Sequence, residues 1–209
     1  MRSILVSSLL LALALSGCAG SSMGKAECQT ADWKAVGYED GAKGYGADRF
    51  GKRRKACAEH GVAANFDAYR AGQAEGIVVY CQPRNGYQLG TRGYRYAIDC
   101  PTHLAGTFQT ANNDGFGLYE RRVARDNIGK QLRYNQQRTK QIEHLIARKT
   151  AKLVSPRVRP DHRMSLVVEL KQLGEEKVQV EQSISQLEND YADASRVYEG
   201  YRNSVANRY

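Results

Sequence analysis

Apolar residues in the second half of the chain recur at alternating steps of three and four, which is the spacing of a heptad seam. The spacing holds over residues 128–153, breaks at the proline-containing segment 155–160 and resumes over residues 166–201. It predicts two long helices, and the short break favours an antiparallel coiled-coil hairpin over residues 118–205 with its turn at 155–160. A parallel dimer of each helix would satisfy the same heptads.

The first half of the chain is rich in Gly and Tyr and poor in large aliphatic residues. The pattern Tyr-x-x-Gly begins at Tyr38, Tyr69 and Tyr87, and a weaker form begins at Asn112. Each Gly costs a helix about 1 kcal/mol relative to Ala, so a stripe of glycines indicates helix backbones that approach closely. A phosphate-binding loop would need a preceding apolar strand and a following Lys-Ser or Lys-Thr, and neither is present.

The amino-terminal residues have the pattern of an export signal. Arg2 precedes the mainly apolar residues 4–15, a stretch too short to cross a bilayer as a helix. We therefore expect residues 1–17 to be a signal peptide that is removed on export.

The letters "LSGC" that end at Cys18 resemble a bacterial lipobox. This resemblance implies cleavage before Cys18, a diacylglyceryl group on its thiol and acylation of the new amino terminus, with residues 18–27 as a tether. Ala19 in place of Asp favours the periplasmic face of the outer membrane. An ordinary secretory signal with a chance cysteine is the alternative.

Four further cysteines, all in the first half, predict two disulfides in an exported protein: Cys28, Cys57, Cys81 and Cys100. Three pairings are possible, and the short spans favour Cys28–Cys57 and Cys81–Cys100. The segment between Cys81 and Cys100 is rich in turn residues and predicts a closed loop or small hairpin. The fold class is therefore mainly α: a small disulfide-braced, Gly/Tyr-rich helical domain over residues 28–117, followed by the long hairpin.

Two Cys-x-x-His pairs offer a different interpretation of the cysteines. Cys57 with His60 and Cys100 with His103 could together hold zinc through two thiolates and two imidazoles. The oxidising compartment and the two additional cysteines favour disulfides, so we expect neither a metal nor another cofactor.

The formal net charge of +9 is divided unevenly along the chain. Residues 116–155 carry ten Lys and Arg against three Asp and Glu, whereas residues 161–209 carry six against nine. Opposite net charges fit the pairing of the two hairpin arms. Nucleic-acid binding usually needs an un-neutralised basic face, and we expect no nucleic-acid partner. Attraction to anionic lipid headgroups or cell-wall polymers stays open.

Candidate chemistry is confined to two groups of side chains. Asp40 lies on a face lined by glycine and tyrosine, where it could bind a ligand or act as a general base, or could bond a backbone group or a tyrosine hydroxyl. Aromatic residues and arginines alternate between Cys81 and Cys100, where they could bind a glycan or peptide or could pack inside the small domain. These residues are Tyr87, Arg92, Tyr94, Arg95 and Tyr96.

The ordered segments "CQTADWKAVGYEDGAKG", "CAEHG", "YRAGQAEGIVVYC", "NGYQLGTRG" and "DCP" resemble the domain-of-unknown-function 2799 family of bacterial envelope lipoproteins. The resemblance runs from Cys28 to about Tyr119. It implies an exported lipoprotein and supplies no activity, substrate or cofactor.

These features lead us to expect a lipid-anchored, non-enzymatic structural or adaptor protein of the cell envelope that contacts an envelope protein or peptidoglycan. A periplasmic module that binds peptidoglycan or another glycan is the alternative. A hydrolase that uses Asp40 ranks last.

Overall fold

The computed structural model describes residues 23–96 and 98–209, which form α-helices and, within those residues, no β-strand. The described helices are α1 (Lys25–Thr30), α2 (Trp33–Ala42), α3 (Asp48–Ala58), α4 (Phe66–Tyr80), α5 (Pro83–Thr91), α6 (Thr102–Leu153) and α7 (Pro160–Val205). The mainly α fold class is confirmed. The expected signal peptide, Cys18 and part of the expected tether 18–27 lie outside the described residues.

The chain forms two compact units. The first comprises the described part of Met1–Asn85 together with Tyr96–Phe108, and the second comprises Gly86–Arg95 together with Gln109–Tyr209. The boundary that we expected after residue 117 is not where the structure divides the chain, because α6 runs unbroken from Thr102 to Leu153. Gly115, just before the expected boundary, marks where this helix packs against α5, not where it ends.

The core of the first unit is aromatic and is braced by a disulfide. Phe50 on α3 packs against Trp33 and Tyr69, with ring centroids 6.1 Å and 4.8 Å away. Asp32 caps α2 by accepting hydrogen bonds from the backbone amides of the first turn. The predicted Cys28–Cys57 disulfide is confirmed and joins α1 to α3, with both cysteines buried.

Four glycines bring α2 and α4 into backbone contact. A Cβ added at Gly37 would lie 2.0 Å from the Tyr69 carbonyl oxygen, and one at Gly72 would lie 1.9 Å from that of Lys34. Gly41 and Gly76, one turn further on, meet α4 and α2 backbone atoms in the same way. The contacts advance along both helices together, so the helices run parallel. This confirms the close approach that the glycine stripe predicts.

The second unit repeats this arrangement with α5 and α6. A Cβ at Gly90 would lie 2.2 Å from the Asn112 carbonyl oxygen, and one at Gly115 would lie 2.2 Å from that of Tyr87. The first helix of each pair and its exit turn share the pattern Gly-Tyr-x-x-Gly-x-x-Gly-Tyr, over residues 37–45 and 86–94.

The exit turns of α2 and α5 are equivalent in detail. Gly44 and Gly93 have φ values of 74° and 84°, a left-handed conformation that favours glycine. A Cβ at Gly44 would collide with the Tyr80 ring, and one at Gly93 would collide with the Tyr119 ring.

The structure corrects two details of the sequence interpretation. Half of the segment between Cys81 and Cys100 is helix α5, so the segment is not simply a loop or hairpin. The glycines of α5 seat it on α6, and this packing outweighs a weak helix propensity. In addition, Asn112 corresponds to Gln73 of the first pair and not to Tyr69. The Gln73 amide donates to the Tyr45 carbonyl at 2.8 Å, and the Asn112 amide donates to the equivalent carbonyl at 3.1 Å.

The remainder of the second unit is an antiparallel hairpin of α6 and α7. As residue numbers rise along α6, those of their α7 partners fall. The pairs that show this are Asn135–Ser183 at 2.9 Å, Arg138–Glu176 at 2.7 Å, and Lys149–Glu169. The intramolecular hairpin and its turn between Leu153 and Pro160 are therefore confirmed. The arm from residue 109 to the turn spans roughly 65 Å at 1.5 Å per residue.

Candidate functional site

Asp40 lies at the centre of a buried polar cluster in the first unit. Its side chain is inaccessible to solvent and projects from α2. The Arg53 guanidinium on α3 binds it through two hydrogen bonds, from Nε at 2.8 Å and from Nη2 at 2.7 Å. The Tyr69 hydroxyl on α4 donates a third at 2.9 Å. One carboxylate therefore ties three helices together.

A second arginine completes this cluster. The Arg49 Nε is 3.9 Å from an Asp40 oxygen and is buried without a hydrogen-bond partner among the described residues. Its guanidinium lies over the Tyr45 ring, 4.4 Å from the ring centroid. Arg49 therefore contributes charge to the cluster without a direct hydrogen bond to the carboxylate.

Two donors of the cluster, Arg53 and Tyr69, have raised pKa values. The hydrogen bond to Asp40 raises the pKa of Arg53 above its ordinary value, so this guanidinium stays charged. Burial, followed by the hydrogen bond to Asp40, raises the pKa of Tyr69 far above its usual range, so this phenol stays protonated. Both groups act as donors to the carboxylate at neutral pH.

The geometry of the cluster is that of a structural element which stabilises the packing of α2, α3 and α4. A general base must reach the proton that it abstracts, and Asp40 is enclosed with both oxygens engaged by strong donors. Ligand binding or base catalysis by Asp40 stays a prediction that the geometry disfavours. The sequence prediction named a tyrosine hydroxyl as a possible partner of Asp40 but missed Arg53. Arg53 is one of four basic residues in the run "KRRK", and the sequence does not show which of them faces the protein interior.

The cysteine sulfurs that a zinc site would need are joined in disulfides. Cys57 pairs with Cys28, and Cys100 pairs with Cys81, as the short spans predicted. Within residues 23–96 and 98–209, no group of three or more His, Cys, Asp or Glu side chains is arranged to hold a metal ion.

The aromatic and arginine residues that we expected to form one binding group belong to two different units, so they are described separately. Tyr96 belongs to the first unit, where its ring packs edge-on against Phe108 at 5.2 Å. In the second unit, the Arg95 guanidinium lies 3.7 Å from the centroid of the Phe116 ring and bonds the Asn113 side chain at 2.7 Å. Tyr87 stacks on the Tyr209 ring at 5.0 Å. These three residues are engaged in packing.

Three members of this group are exposed, namely Arg92, Tyr94 and Arg95, and of these Arg95 is already engaged with Phe116 and Asn113. The Tyr94 side chain is 60% exposed, on the turn that Gly93 makes after α5. The Arg92 Nε donates to the Gln88 carbonyl at 3.2 Å, and the residue remains at the surface. A glycan or peptide could reach these two side chains.

A second set of exposed side chains lies on the hairpin. The sequence prediction missed it because Tyr134 and Val178 occupy positions that the heptad spacing does not select. A groove of about 380 Å³ lies along the α6–α7 seam, lined by Lys130, Gln131, Tyr134, Asn135, Ser183 and Leu187. A second groove of about 520 Å³ lies on α7, around Gly174 and Val178. Tyr134 is 68% exposed and Val178 is 52% exposed.

Comparisons with known proteins bear on part of the chain. No curated protein and no solved structure matches it. Within the residues that the structure describes, every helix is too short or too polar to cross a lipid bilayer. Residues 32–117 match the model of the family described as "Protein of unknown function (DUF2799)". This match includes the glycines of both helix pairs and supports the DUF2799 family for that segment of the chain.

Proposed function

We propose that this protein is a lipid-anchored lipoprotein of the bacterial cell envelope, and that it acts as a non-enzymatic adaptor through the α6–α7 hairpin. Cys18 would carry the lipid, and the protein would reside on the periplasmic face of the outer membrane. Both disulfides fit an oxidising compartment outside the cytoplasm, which supports the export part of this proposal.

The adaptor role is supported mainly by one observation: the two hairpin helices are held together by polar pairs while apolar side chains on their surface stay exposed. Ion pairs and the Asn135–Ser183 hydrogen bond hold the two helices of the hairpin in register. Its surface nevertheless leaves Tyr134 and Val178 uncovered beside grooves that a partner side chain could fill. Aromatic and aliphatic side chains at the rim of a groove are typical anchors of protein interfaces.

Crosslinking in cells tests this proposal directly. A photoreactive amino acid placed at Tyr134 or at Val178 should yield a discrete adduct with an envelope protein. The same amino acid at Gln136 or Gln182, exposed polar positions on the same two helices, serves as the matched control. Adducts from all four positions, or from none, would contradict a defined binding face. The variant Cys18→Ala should lose the adducts, because the protein would no longer be anchored beside its partner.

Glycan binding is the second candidate, favoured by the exposed ring of Tyr94 with Arg92 nearby in the chain. Aromatic rings and guanidinium groups are suited to sugar faces and hydroxyls. Purified sacculi should then retain the protein, and Tyr94→Ala should weaken that retention. Tyr134→Ala, which removes an equally exposed ring from the hairpin, should leave it unchanged.

A further inference from the structure

The turn between α6 and α7 presents basic and apolar side chains within one short segment. Residues 148–163 contain six Lys and Arg against one Asp, a net charge of +5. We name the surface formed by Arg148, Lys152, Val154, Arg157 and Met164 the tip patch. All five residues are exposed.

The positive charge of the tip patch is not neutralised within the hairpin. Among the described residues, Arg148, Lys152 and Arg157 form no close ion pair. Two acidic side chains beside the turn, Glu169 and Asp161, are paired with Lys149 and Arg159, and Lys152 acts on Glu169 only as a more distant charge. The tip therefore carries a positive field that an external anion can meet.

The apolar members of the tip patch are among the most exposed apolar side chains of the described chain. Val154 is 75% exposed and Met164 is 68% exposed. On the first turns of α7, Val167 and Val168 are each about half exposed. Apolar surface left in water costs about 25 cal/mol per Å², so a partner that covers these side chains gains free energy.

The turn that carries the tip patch is held in one shape. The Arg163 guanidinium donates to the carbonyls of Val158 and Ser155, each at 3.2 Å. The Val158 amide also donates to the Ser155 carbonyl, at 3.3 Å. Val154 and Arg157 are thus positioned before any partner arrives, which reduces the entropy lost on binding.

We propose that the tip patch binds an anionic lipid surface. The basic side chains would meet the headgroups, and Val154 and Met164 would enter the boundary of the acyl chains. A soluble polyanion such as a nucleic acid would neutralise the charges but leave these apolar side chains in water, so the combination favours a membrane. This inference extends the proposed adaptor role by naming a partner for the hairpin tip, and it stands on the second unit alone.

Vesicle binding tests the proposal without involving the lipid anchor. The protein is prepared as residues 18–209 with Cys18→Ser, which retains every residue that the structure describes. Its binding is measured to phosphatidylcholine vesicles with and without phosphatidylglycerol, at low and high salt. We expect binding to the anionic vesicles alone, weakened by salt. The triple variant Arg148→Gln, Lys152→Gln, Arg157→Gln should bind on the order of 100-fold more weakly.

Matched controls separate the tip from the rest of the hairpin. The triple variant Arg133→Gln, Lys140→Gln, Arg196→Gln, called the mid-arm variant, removes the same charge from exposed hairpin positions outside the tip patch. It should bind within about twofold of the unmodified chain. Val154→Ser with Met164→Ser should weaken binding roughly tenfold, whereas Val197→Ser, which removes an exposed apolar side chain outside the tip patch, should not. Far-ultraviolet circular dichroism confirms that each variant is folded.

Three results would overturn the proposal. These are absence of binding to anionic vesicles, equal losses from the tip and mid-arm variants, and binding to DNA or polyglutamate with the same dependence on Val154 and Met164. Since Cys18 carries no lipid in this assay, these results would leave the proposed anchor untouched. A failure to find lipid on Cys18 would equally leave the tip patch untouched.

Discussion

Helices α2 and α4 can pack closely only because the glycines at their contact have no Cβ atom. Each of the four glycines at their contact faces a carbonyl oxygen of the other helix, at a distance that no side-chain carbon could occupy. Glycine lowers the intrinsic stability of each helix, and the close contact of the two backbones offsets this cost. The free energy of unfolding should therefore be sensitive to one added methyl group at these positions.

Gly37→Ala should destabilise the protein by about 3 kcal/mol, because the new Cβ would overlap the Tyr69 carbonyl and force the helices apart. Gly51→Ala is the matched control. It lies within α3 with nothing within 4 Å of the added carbon, and should stabilise the protein by up to about 1 kcal/mol. Urea unfolding followed by circular dichroism measures both changes. Equal effects would show that the backbones do not touch at Gly37.

The Asp40 cluster gives a second prediction at this scale. Asp40→Asn removes the charge that compensates the largely buried Arg53 and should cost about 3 kcal/mol. Tyr69→Phe removes one hydrogen bond and should cost about 1 kcal/mol. Urea unfolding of both variants provides the comparison. If Asp40→Asn left the stability unchanged, the structural role of this carboxylate would be wrong.

Some helices could be predicted from the sequence and others could not. The helices of the hairpin followed from the heptad spacing, because each places one apolar stripe against the other. Helix α5 did not, because Pro83, Gly86 and Gly90 have weak helix propensity and its stability comes from packing on α6. Arg53 was likewise missed as the partner of Asp40, since sequence does not tell which member of a basic run faces inward.

The hairpin should lose stability in acid. Hydrogen bonds from Lys149 and Lys177 lower the pKa of Glu169 and Glu143 below the ordinary value of 4.5. A lowered pKa means that the folded hairpin favours the charged carboxylate, so its contribution is present at neutral pH and is lost as the pH falls through the folded-state pKa. The effect is modest because the pairs are exposed and screened.

Thermal melts at about pH 7 and about pH 3 measure this loss. The double variant Glu143→Gln, Glu169→Gln should show a smaller difference between the two melting temperatures than the unmodified chain. Glu188→Gln, an exposed position of α7 outside these pairs, should leave the difference unchanged. An unchanged difference in the double variant would contradict a role for the cross-helix ion pairs.

The whole molecule combines a disulfide-braced unit with a unit that ends in a long hairpin. Both disulfides lie in the first unit, so we expect the stability of that unit to depend on an oxidising compartment. This dependence agrees with the export signal expected at residues 1–17 and with the lipid expected on Cys18. The sequence predicted the disulfides from spacing and compartment. It did not predict where the chain divides into units, because that depends on how α5 pairs with α6.

The most direct test of the envelope account is the intact mass of the protein isolated from the membranes of the bacterium that produces it. The account predicts a polypeptide that begins at Cys18, carries a diacylglyceryl group and an added amide-linked acyl chain, and has four hydrogens fewer than the fully reduced form. Cys18→Ala should abolish the lipid mass. A native polypeptide without added lipid, or with its thiols reduced, would contradict the account.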